Sequence, residues 1–200
     1  MVIKKSNNPL KYTLKNHKKK GAGKMQFVLP WKEGISRYQT DFKHIEYEMP
    51  ERCPECGCVR FHKWGKYARY VIEEGAEGRI YIQRVRCVKC LKTCSYLPSF
   101  CPSGICYGVD FVMTILNALL FKLRVSFGDM QRRAYAFLQR FVRLENLWLL
   151  FLRMIGFRGF PEDRKERAME VFAAILKIHQ NGNLIPSFFQ ATGRHFMAAK

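Results

Sequence analysis

Two matched cysteine pairs, Cys53-x-x-Cys56 and Cys87-x-x-Cys90, have the spacing that metal chemistry needs. A CxxC knuckle brings two thiolates to one ion from a tight turn. Two knuckles complete a tetrahedral S₄ shell, which suits one structural Zn²⁺ and leaves no open position for catalysis. Coincidental buried thiols or disulfides are the alternative for the same residues. Pro54 and Gly57 shape the first turn, and the alternating segment Arg79 to Arg86 delivers the second knuckle from a strand. Cys58, Cys94, Cys101 and Cys106 are irregularly spaced and read as small buried side chains. A second metal site with His62, or a reactive thiol, is the other use open to them. Asp41, Asp110, Asp129 and Asp163 are the aspartates, and none has the strand setting from which carboxylates gather around two Mg²⁺ ions. The expectation is a noncatalytic protein. His179 reads as a helix-end residue.

The elements that position the cysteines follow from the stretch between them, which has the length of a two-stranded hairpin. Phe61 to Ile72 and Arg79 to Arg86 are the expected strands, with an acidic turn over 73–78. After Pro98 and Pro102 the pattern becomes helical. Val109 to Leu123 is apolar nearly all round, Ser126-x-x-Asp129 fits a capping box, and a helix with Met130, Ala134, Phe137, Leu138 and Phe141 on one side runs to about Leu144. Leu147 to Ile155 and a helix after Pro161 that stops at Asn181 complete the set, and the tail from Phe188 reads as a docked segment. The fold class expected is α+β: a small zinc ribbon, meaning a β-hairpin with two CxxC knuckles, followed by an all-helical domain. The expected divisions are a basic N-terminal arm over 1–50, the ribbon over 51–108 and a helical, helix-turn-helix-like domain over 109–200.

Charge points to a polyanionic partner. Thirty-five basic residues against sixteen acidic ones give +19, and each of the three divisions carries a basic excess. Nucleic acid is the default partner for such a surplus, with an acidic membrane surface as the competitor. The candidate contacts are Lys18, Lys19 and Lys20 in the arm, Lys63, Lys66, Arg69, Arg84 and Arg86 on the hairpin, and Arg132, Arg133, Arg140 and Arg143 on the basic helix. Arg or Gln residues on that helix are the candidates for reading base edges. No apolar core follows Met1-Val2-Ile3-Lys4-Lys5, and charges interrupt the longest apolar runs, so neither a signal peptide nor a membrane span is expected. The expected location is cytoplasmic, nucleoid-associated, with reduced thiols.

The wording around the knuckles also resembles a known family. Cys53-Pro54-x-Cys56-Gly57, Ile82-Gln83-Arg84-Val85-Arg86-Cys87-x-x-Cys90 and Leu97-Pro98-Ser99-Phe100 are similar to a zinc-ribbon family of unknown function from Gram-positive bacteria. Its members occur alongside mobile elements and look like the N-terminal part of insertion-sequence transposases. The likeness covers about residues 50–125. It implies a ribbon followed by a helix-turn-helix region, and hence DNA binding in a transposition system whose active subunit is a larger transposase or nuclease. Thr93-Cys94 stands where a histidine is common in that family. Two rival functions remain beside duplex-DNA binding. One is RNA binding in a ribonucleoprotein, with Phe61, Trp64, Tyr67, Tyr70 and Tyr81 stacking on unpaired bases. The other is a protein-interaction adaptor using the apolar segment around Trp148.

Overall fold

A computed structural model of the chain describes residues 25–121, 123, 126–182 and 184–197. Lys18, Lys19 and Lys20 lie outside the described residues. The fold is mixed α+β, with a four-stranded sheet and six α-helices among the described residues. Strand β1 is Met25–Leu29, β2 Phe61–Glu73, β3 Ala76–Cys87 and β4 Thr93–Pro98. Spatial order is β1-β4-β3-β2. β2 and β3 pair antiparallel, β3 and β4 pair antiparallel through Arg84–Arg86, and β1 runs parallel to β4 with Met25 opposite Cys94. β-branched and aromatic residues alternating along β2 and β3 suit this pleated, half-buried surface. The two strands are longer than the sequence pattern predicts, because the connecting turn shrinks to Glu74-Gly75.

Residues 25–50, expected within a basic arm, enter the fold instead. β1 is an outer strand of the sheet, and helix α1, Ile35–Asp41, caps the stretch of β3 that β4 does not reach. Tyr38 Oη donates to the carbonyl of Tyr81 (3.1 Å) and Gln39 Nε2 to that of Arg79 (3.0 Å). These bonds satisfy acceptors that an open strand edge would otherwise leave to solvent. Tyr38 is fully buried among Ile80, Ile82, Leu97 and Phe100.

The remaining helices are α2 Val109–Leu120, α3 Gln131–Arg143, α4 Glu145–Met154, α5 Arg164–Gln180 and α6 Leu184–Thr192. The expected capping box at Ser126 does not form. A single 3₁₀ turn over Gly128–Met130 intervenes, and α3 begins without a side-chain cap. Asp163 does cap α5, its Oδ1 accepting from the backbone N–H groups of Lys165 and Glu166. Apolar faces of α2 to α6 close around Trp148, which is fully buried against Phe141, Phe188 and Phe196. Val28 of β1 belongs to this same core. Sheet and helices are therefore joined through β1, and again at the end of β2. There Ile72 N–H donates to Cys106 O (2.8 Å) and Gly108 N–H to Ile72 O (2.7 Å). Among the described residues, no helix is long and apolar enough to cross a membrane.

Candidate metal centre and basic surfaces

The two knuckles are built alike. Cys53 N–H donates to Cys58 O (2.7 Å) and Gly57 N–H to Cys53 O (2.8 Å). Cys87 N–H donates to Lys92 O (3.0 Å) and Leu91 N–H to Cys87 O (3.1 Å). In each, the fifth residue takes the left-handed conformation, with φ +71° at Gly57 and +58° at Leu91. The loops are matched hydrogen bond for hydrogen bond. Glu55 in the first knuckle and Lys92 after the second form an ion pair between them, and Val88 N–H donates to Arg60 O (3.1 Å) at the foot of β2.

This arrangement brings Cys53, Cys56, Cys87 and Cys90 together, with all four sulfurs within 4.8 Å of one another. Cys53 Sγ stands 3.6 Å from Cys90 Sγ, and Cys56 Sγ 3.6 Å from Cys87 Sγ. Both separations join one knuckle to the other. A disulfide would demand sulfurs about 2 Å apart. A tetrahedral shell with metal–sulfur bonds of about 2.3 Å has edges of about 3.8 Å. The observed distances match the second requirement, so the group can hold a metal ion. Burial pushes the Cys53 thiol up to about 12. At Cys87 burial acts in the same direction, but the N–H groups of Cys90 and Lys89 and the adjoining thiols outweigh it and bring the thiol down to about 6.

The other cysteines are dispersed. Cys94 is buried with its Sγ 4.0 Å from Met25 Sδ, Cys101 is buried in the cluster around Tyr38, and Cys106 is exposed. Cys58 Sγ lies beside the backbone of Arg60. His179 does more than end a helix: its Nε2 is 2.5 Å from Asp110 Oδ1, tying α5 to the first turn of α2. This hydrogen bond holds the Asp110 carboxyl below the usual range. Sixty-nine positions separate the two residues, so sequence spacing carries no signal for the contact.

The basic residues of the hairpin do not share one surface. Strand register puts Lys63 and Lys66 on the face of Val85 and Gln83, and Arg69, Arg84 and Arg86 on the opposite face. Lys66 Nζ sits 4.5 Å above the Tyr81 ring, and Lys63 is exposed. Arg69, expected at a phosphate, is committed inward: its guanidinium donates to the carbonyls of Pro102 and of Ile105 (2.6 Å). Arg86 Nε donates to Leu91 O (2.9 Å) and its guanidinium lies 4.2 Å over Trp64, so it braces the second knuckle. Arg84 lies 5.6 Å over the Tyr67 ring.

On α3 the arginines do gather. At about 100° per residue, Arg132, Arg133, Arg140 and Arg143 fall within an arc of about 100°, beside the side that carries buried Ala134, Phe137 and Phe141. Arg133 closes the border with the core, donating to Tyr107 Oη. Arg132, Gln139 and Arg143 form the outer stripe. Among the described residues four ion pairs form, through Arg37, Lys92, Arg167 and His179, and none uses an α3 arginine. Comparison of the chain with known protein families, with curated proteins and with solved structures finds no match.

Proposed function

We propose that the protein binds duplex DNA through α3, and that Cys53, Cys56, Cys87 and Cys90 hold one Zn²⁺ that makes the hairpin a rigid zinc ribbon. The observation that carries the DNA reading is the arginine cluster of α3, not neutralised by any described carboxylate, in a chain of net charge +19. Zinc is favoured because four thiolates at tetrahedral edge distances suit a closed-shell ion and offer no vacant coordination position. Bound there, the ion supplies folding free energy and no chemistry. The resemblance of the ribbon to proteins that accompany mobile elements supports a role in transposition, with catalysis left to a larger partner.

The test joins metal analysis to a duplex-binding titration. Purified protein should carry about one zinc per chain, and Cys56→Ser should abolish it. Duplex affinity should fall steeply with salt, and replacing Arg132, Arg140 and Arg143 by alanine should flatten the log–log slope by about 0.9 for each phosphate no longer neutralised. An unchanged slope in that variant would remove α3 from the interface. A protein-docking role draws on exposed Leu150, Met154 and Ile155 on and just beyond α4, which are 51%, 60% and 45% accessible. Capture of a partner that survives nuclease treatment is the result that would favour it.

A further inference from the structure

β2 ends the sheet on one side, and part of its outer edge is uncovered. At Ile72 the N–H and C=O point away from β3, because they pair with Gly108 and Cys106 in the segment that leads into α2. Main-chain groups of an antiparallel strand alternate between its two sides, so Tyr70, Ala68 and Lys66 also direct theirs outward. Among the described residues, nothing beyond the sheet bonds to the main-chain groups of these three. The open stretch has two stops. One is the bulge between Lys63 and Lys66, where Gly65 takes φ +73°, and the other is the Tyr107 bridge beside Ile72.

Edge strands are ordinarily guarded by prolines or by charged side chains that deter another strand. Here the long side chains flanking the stretch are drawn back onto their own sheet. Lys66 Nζ lies over the Tyr81 ring, and the Tyr70 hydroxyl is beside Glu77. On the opposite face Arg84 covers Tyr67, and Arg69 grips the carbonyls of Pro102 and Ile105. Ala68, exposed at the middle, is too short to block an approach. Donors and acceptors in alternation fit another main chain, whereas a phosphate backbone offers acceptors alone. The stretch is also complementary to itself. A two-fold axis at Ala68 sets Lys66 opposite Tyr70 of the other copy and Tyr67 opposite Arg69, so no rung opposes like charges. Centring the pairing on Arg69 would oppose two arginines, and centring it on Tyr67 would run Tyr70 into the bulge. We infer that two copies of the chain join antiparallel through residues 66–70 of β2, so that one sheet runs through both.

This pairing lies on the sheet and stands apart from the α3 proposal. Sedimentation velocity of the zinc-loaded full chain, kept reduced and freed of nucleic acid, tests it over a micromolar concentration series. A monomer–dimer equilibrium is expected. Salt should tighten it by screening the repulsion between two copies of net charge +19, opposite to its effect on duplex binding. Ala68→Pro removes an N–H that only the second copy uses, and should weaken the dimer about tenfold while leaving the fold intact. Tyr70→Lys opposes like charges at both ends of the pairing and should also weaken it about tenfold. Adding Lys66→Glu to that variant should restore the dimer. Zinc content and circular dichroism identify a variant that has failed to fold; if Ala68→Pro is one, the charge exchange decides. A chain that stays monomeric throughout the series overturns the inference. So does a dimer that both single variants leave intact, and so does a failure of Lys66→Glu to restore it.

Discussion

Leu91 holds at the second knuckle the backbone conformation that Gly57 holds at the first, and only glycine takes it without strain. A side chain in the left-handed region costs about 1–2 kcal/mol, offset in part by the entropy that glycine loses on folding. Leu91→Gly should therefore stabilise the metal-loaded protein by about 0.5 kcal/mol, and Gly57→Ala should destabilise it by about 1 kcal/mol. Paired thermal melts at saturating zinc would read both. His195 gives the chain an acid sensitivity of its own. Burial brings its ring down to about 4, and its Nε2 has no described partner. The unfolded histidine takes up its proton near about 6.5. Between these values the unfolded chain binds more protons, so stability falls as the medium becomes acid, by about 2 kcal/mol from pH 7 to pH 5. His195→Gln should flatten that dependence in urea denaturation at the two pH values. An equal acid loss in the variant would assign the effect elsewhere.

At the scale of elements, the helical layer depends on α4. Trp148 touches partners from α3 and α6 and from the segment beyond it, so Trp148→Ala should cost about 3–5 kcal/mol, measurable as a drop in the denaturation midpoint. α2 to α5 were legible in the sequence because each is long enough to show its apolar side, although the cap that Asp163 supplies to α5 was not read from it. The hairpin was legible from alternation bracketed by cysteine pairs. The other elements were not. α1 spans seven residues without a side-chain cap, too short for a helical period to show. β1 and β4 are five and six residues long, and their parallel pairing joins segments almost seventy positions apart. No local pattern encodes such a partner. The Phe27-to-Trp31 run shows only that this segment is apolar. α6 was hidden by Pro186, which its first turn tolerates because the N–H it removes has no helical acceptor there. The four thiols of the candidate metal centre were fully legible. The division of the hairpin's basic residues, Lys63 and Lys66 on one face and Arg69, Arg84 and Arg86 on the other, was not, because the register shift between Lys63 and Lys66 changes which side chains share a face.

For the whole molecule, the distribution of anchoring bonds sets what metal removal does. The cluster secures the end of the hairpin at Phe61 and Cys87, while Ile72 is fixed separately through Cys106 and Gly108. Chelation should raise amide exchange first at His62 and Arg86, with Val71 and Ile80 staying slow. Uniform acceleration across the sheet would show that the ion supports the entire fold. The hairpin's other end is closed by Glu74-Gly75, so eleven opposed residue pairs lie between a covalent turn and the cysteine cluster. A ladder unzips from its open mouth, and that mouth is where the thiols stand. An ion seated there converts a zipper into a ring, so a force pulling the strands apart has no free end at which to start and must rupture metal–sulfur bonds before the first rung gives way.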